Sequence, residues 1–135
     1  MSVPKNERGE SGMQFLMTAR DIEISCIKLA QKMPKRMTFF LSQYVTESAV
    51  KIYANCKRAN SVYPVNAHEV QMRKDYLIKA HCECQNLISQ IDIAGELCPE
   101  VSSKQIKLIM DMLINEMKCI KGLISTDKER YKNIK

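Results

Sequence analysis

The chain has no tryptophan, and five tyrosines and three phenylalanines bring its aromatic content to only 6%. Four glycines and four prolines are all it has for sharp turns in 135 residues. A β-sandwich or barrel needs frequent turns and strands rich in aromatic and β-branched residues, so this poverty argues for few, long elements. No apolar run approaches the ~18 residues of a membrane span. The polar start MSVPKNERGES is not expected to act as a secretory signal, which gives a cytoplasmic expectation. The sequence also lacks a Gly-rich phosphate loop, a Gly-x-Ser-x-Gly elbow and a nucleophile beside a base. Repeated Glu-x-x-His pairs, the mark of a di-iron bundle, are missing too. No enzyme, catalytic residue, metal site or cofactor is therefore expected.

What the chain does have is Met, Leu, Ile, Lys and Glu, which suit helices, with 45% hydrophobic and 27% charged residues. The longest stretch with one unbroken period is 66–97. Val70, Leu77, Ala80, Cys84, Leu87, Ile91 and Ala94 alternate at threes and fours once Arg73 fills the one polar slot. That is the seam of an amphipathic helix packed lengthwise on others. Asn66 with Glu69 can cap its start, and Gly95 with Pro99 ends it. A helix of this length, ~45 Å, needs partners of similar length.

Three such partners are predicted. Phe15, Ala19, Ile22, Cys26, Leu29 and Met33 form one face of a first helix, opened by a Ser11/Gln14 capping box and closed at Pro34. The second runs from Lys35 to Ala59, with Leu41, Val45, Ser48, Ile52, Cys56 and Ala59 inward. Its start is locally β-prone (Phe39, Phe40, Tyr44, Val45, Thr46), and those aromatics cannot all face one core, so some are expected to face a neighbouring subunit. The fourth helix has a Ser102/Gln105 cap and carries Ile106, Ile109, Leu113, Met117, Ile120 and Ile124. Short connections make sequence neighbours antiparallel, so the expected fold is an all-α, up-down-up-down four-helix bundle over 11–126. A polar arm (1–10) precedes it, and a frayed basic tail (127–135) follows it.

Six cysteines without a secretory signal read as reduced thiols, mostly small core residues. His81-Cys82-Glu83-Cys84 resembles a metal cluster, but Cys82 and Cys84 point apart on a helix and no second ligand pair has a suitable spacing. His68 and Glu69 belong to a capping turn.

The formal charge is +6. In the bundle it gathers at both ends and leaves the middle net acidic. Lysines and arginines near helix C-termini, such as Lys57 and Arg58, answer the helix dipole. Lys35, Arg36, Arg73 and Lys74 sit near helix starts, where the dipole disfavours cations. These six are the candidate nucleic-acid or partner-binding residues, acting through salt-sensitive phosphate contacts. Arg73, on the seam, has two further options: to snorkel outward or to pair with a carboxylate of a neighbouring helix.

Three short motifs carry a resemblance that spans nearly the whole chain. They are Val3-Pro-Lys-Asn-Glu-Arg-Gly-Glu-Ser11, Pro34-Lys-Arg36 and Ala59-Asn-Ser61. The chain resembles the small four-helix-bundle proteins that include the accessory variability determinant of diversity-generating retroelements. The same family includes the proteins encoded by intervening sequences in bacterial 23S ribosomal RNA genes. The resemblance implies a basic homopentamer that partners a reverse transcriptase and its template RNA or cDNA as a noncatalytic scaffold. It identifies no binding residue position by position. The competing expectation is a self-assembling protein-interaction bundle with no nucleic-acid role, its charge serving solubility.

Overall fold

The computed structural model of the protein describes residues 5–135, with side chains from Gln14 onward. It contains α1 (Lys5–Lys32), α2 (Gln43–Ser61), α3 (Ala67–Leu97) and α4 (Ser103–Arg130). A 3₁₀ turn at Lys35–Met37 and a π-helical turn at Thr38–Ser42 lead into α2. Contacts link α1 with α2, α2 with α3, α3 with α4, and α4 back to α1, which closes an up-down-up-down four-helix bundle. The 31 residues of α3 set its length.

The seams read from spacing are the ones buried. Phe15, Ala19, Ile22, Cys26, Leu29 and Met33 of the α1 face lie inside with Leu41, Val45, Ile52, Cys56 and Ala59. Leu77, Ala80, Cys84, Leu87, Ile91 and Ala94 of α3 meet them. Asn66 caps α3 by accepting from the Glu69 amide at 2.9 Å, and the Glu69 carboxylate in turn accepts from the Val65 amide, also at 2.9 Å. Ser102 caps α4 by accepting from the Gln105 amide. Cys26, Cys56, Cys84 and Cys98 are buried thiols, Cys119 is half-buried and Cys82 is exposed. Burial pushes the Cys26 thiol up to about 12, and a thiol so hard to ionise is an inert core group.

The helix boundaries differ from the sequence expectation in three places. The first helix starts at Lys5, inside the expected polar arm; residues 1–4 and the side chain of Ser11 lie outside the described residues. The second helix does not run unbroken from Lys35. Thr38, Phe39 and Phe40 are poor helix formers directly after the Pro34 break, and the π turn lets Leu41 and Val45 point inward while the aromatics turn out. Finally, α4 continues to Arg130, so the segment expected to fray is helical through its first turn.

The buried stripe of α4 keeps the expected positions Ile109, Leu113 and Ile120 and departs from the expectation at Glu116, which lies inside where Met117 is expected. It runs through Ile109, Leu113, Glu116, Ile120 and Asp127, while Met117 is only half-buried. Gly122 lies on the exposed side, and a Cβ built there meets no atom within 4 Å. Gly122→Ala should therefore stabilise the bundle by ~1 kcal/mol through helix propensity alone. Urea unfolding reads this directly, and an unchanged midpoint would mean that α4 is already frayed at Gly122 in solution.

Candidate functional site

Lys35 and Arg36 are exposed on the 3₁₀ turn, which starts because Pro34 (φ −66°, ψ 151°) cannot continue α1. Arg36 Nη2 donates to Glu100 Oε2 at 3.3 Å, and this contact ties the α1–α2 junction to the α3–α4 connection. The two side chains are 61% and 40% exposed, so the pair is worth under ~1 kcal/mol and exchanges readily for a phosphate. At the same end Lys32, Lys104 and Lys107 line a shallow groove of about 520 Å³ with Ser102, Gln105 and Asp111. The first turn of α4 carries no acid. Its amide dipoles and its lysines therefore present the same sign of field.

The opposite end carries Lys57, Arg58 and Lys74, all exposed. The Lys57 ammonium sits 4.2 Å from the centre of the Tyr53 ring, a contact that orients it without neutralising it. Arg58 donates to Asn55 Oδ1 at 3.4 Å and lines a groove between α2 and α3 with Lys51, Tyr76 and Lys79. Lys74 lines a separate groove between α3 and α4, with Gln71, Lys128, Tyr131 and Lys132. The six candidate residues therefore form no single site. Lys35 and Arg36 mark one end, and Arg58 and Lys74 open onto different grooves at the other.

Arg73 leaves the candidate set. Its guanidinium binds the Asp127 carboxylate through Nε and Nη2, and Nη1 donates to the Ala59 carbonyl at 2.9 Å. The side chains of Arg73 and Asp127 are only 12% and 11% exposed. The residue braces the end of α2, the start of α3 and the end of α4, and it offers no donor fork to a ligand. Of the options open to a seam arginine, the structure takes the carboxylate of a neighbouring helix. An expectation that the chain frays from Asp127 onward hides this partner from the sequence.

Two features at the surface and in the core complete the inventory. Phe39 and Phe40 are each 77% exposed and Tyr44 is 51% exposed, so all three face away from the core, where the sequence required only that some do. In the core, Glu116 is fully buried. Cys56 Sγ lies 3.7 Å from Glu116 Oε2, and Glu116 Oε1 has no partner among the described residues. Burial pushes its carboxyl up to about 8, with the Cys56 hydrogen bond pulling weakly the other way. Burial, and after it the charge of Glu116, raises the facing Cys84 thiol to about 12. Sequence reasoning missed Glu116 by placing Met117 on the seam. Strict alternation of threes and fours from Ile109 and Leu113 would have found it.

His81 Nε2 is buried without a partner among the described residues, and burial followed by the Lys121 ammonium pulls its imidazole below the ordinary value. Cys82 and Cys84 diverge, one exposed and one buried. Among the described residues no three His, Cys, Asp or Glu side chains are grouped to hold a metal ion. No helix among them is long and apolar enough to cross a membrane. No protein-family model matches the chain, and no curated protein is significantly similar to it.

Proposed function

We propose that the protein is a noncatalytic accessory of a diversity-generating retroelement. It acts in the cytoplasm as a homo-oligomer, a ring of five copies, that holds a reverse transcriptase together with its template RNA or cDNA. The observation that carries the nucleic-acid part is the lysine-lined groove beside Lys35 and Arg36, where Lys32, Lys104 and Lys107 share one opening with the acid-free start of α4. Such a surface suits phosphates and reads no bases, as a scaffold for many templates requires. The sequence motifs supply the retroelement and the polymerase. The exposed Phe39, Phe40 and Tyr44 support self-association, because rigid aromatics in the open are the usual anchors of a protein interface.

The test is binding of the purified protein to a short RNA and to duplex DNA across a salt series, with light scattering on the same samples. Affinity should fall linearly on a log–log plot. The charge reversals Lys35→Glu and Arg36→Glu should each lower the slope by about 1. Phe39→Ser with Phe40→Ser should reduce the scattering mass to that of one chain. The reverse transcriptase should co-purify with the wild-type oligomer. An oligomer that binds neither nucleic acid at low salt would favour the second reading, a protein-only interaction bundle assembled through the same aromatics.

A further inference from the structure

Glu116 has a chemistry that the proposed scaffold does not use. Its carboxyl lies mid-helix on α4, between Leu113 and Ile120 on the buried stripe, with no exposed surface. A carboxylate accepts at up to four lone-pair sites, yet its one hydrogen-bonding partner among the described residues is a thiol, a weak donor, at 3.7 Å. Among the same residues Oε1 has none. The described titratable groups around it are thiols on every side that supplies one. Cys56 comes from α2 and Cys84 from α3, and Cys119 lies one turn along α4 itself. On α1, Cys26 is displaced by burial alone and takes no influence from Glu116. No described lysine or arginine influences the carboxyl, and burial and the Cys56 contact are its two determinants. An ionised group in this place would be a buried charge without a counterion, which proteins avoid by holding the proton or by opening.

We propose that Glu116 is a proton-operated lock on the bundle: protonated, it is a filler of the closed core; ionised, it parts the α2–α3–α4 contacts until water reaches it and exposes Cys56 and Cys84. The direction follows from the raised carboxyl. The closed bundle holds a proton that the open one releases between the ordinary carboxylate value of 4.5 and about 8. Across that window the open fraction should rise about tenfold per pH unit, and outside it this group contributes no pH dependence. The window includes neutral pH, so the lock would respond to small changes of conditions.

Two measurements on the full-length protein test it. The first is carbon-13 NMR of selectively labelled glutamate carboxyls, with the Glu116 resonance identified by its loss in Glu116→Gln or, should that variant fail to fold, in Glu116→Met. A titration midpoint above pH 7 is expected, and one in the ordinary carboxylate range overturns the proposal. The second is thiol labelling slow enough for opening to equilibrate, with the modified cysteines located by mass spectrometry. The ratio of wild-type to Glu116→Gln (or Glu116→Met) labelling at Cys56 and Cys84 should climb about tenfold per pH unit between pH 5.5 and 7.5. The ratio cancels the pH dependence of the thiols themselves. A flat ratio would mean that the carboxyl does not control opening.

Discussion

Replacing Arg73 with alanine should destabilise the bundle by about 3–5 kcal/mol, the cost of leaving a buried carboxylate without its partner. Without the guanidinium, Asp127 retains only Arg130, whose Nη1 is 4.0 Å away, and the Ala59 carbonyl loses its side-chain donor. Asp127→Ala should cost a similar amount for the mirror-image reason. The double change Arg73→Met with Asp127→Leu should lie within ~1–2 kcal/mol of wild type, because neither charge then has to be desolvated. Adding Arg73→Ala with Asp127→Ala to the urea unfolding series closes a double-mutant cycle with wild type and the two single alanine variants, and strong coupling is the expected result. Arg36→Ala is the internal comparison: that arginine also pairs with a carboxylate, but at an exposed surface, and its loss should cost under ~1 kcal/mol. Equal costs for Arg73→Ala and Arg36→Ala would show that burial does not govern the Arg73 pair.

Glu116→Met should raise stability at pH 7 by about 3 kcal/mol. The unfolded chain carries this carboxyl ionised at pH 7, while the fold holds it protonated, its carboxyl raised from 4.5 to about 8. Folding therefore takes up a proton, at a cost of about 1.4 kcal/mol for each pH unit above 4.5. The sign is the reverse of an ion-paired acid. The wild type loses stability through this group as pH rises from 4.5 to about 8, and the loss levels off above that. Methionine has a similar length, carries no proton and suits an irregular gap. The difference between variant and wild type should be small at pH 4.5, should grow through neutrality and should be constant above pH 8. Unfolding midpoints across pH 4.5–9 read the curve, and a difference independent of pH would place the carboxyl in its ordinary range.

These two side chains show where the period of a sequence informs and where it stops. On α3 the alternation of threes and fours was followed even through a charged residue, and it put Arg73 on the seam, where its side chain indeed lies. On α4 a residue-by-residue reading favours the apolar Met117 over the polar Glu116 and ends the helix before Asp127. The strict alternation Ile106, Ile109, Leu113, Glu116, Ile120, Leu123, Asp127 accounts for the buried stripe better than hydrophobicity residue by residue. A bundle buries whatever its helical phase turns inward. The hydrophobic effect sets that phase for the whole stripe, not for each position.

The sequence by itself determined the class of the fold, the helix count and the core faces of α1 and α3, because spacing and turn residues act along the chain. It also placed the basic residues at two ends, since those positions follow from helix direction alone. Only the tertiary structure decided which cations face solvent. Arg73 and Lys74 are neighbours in sequence, but a rotation of about 100° along the helix puts one against Asp127 and the other in an open groove. It also decided that a glutamate in the middle of α4 meets thiols and, among the described residues, no cation. Pairing and desolvation depend on the side chains that other helices bring near, and a local pattern carries no information about them.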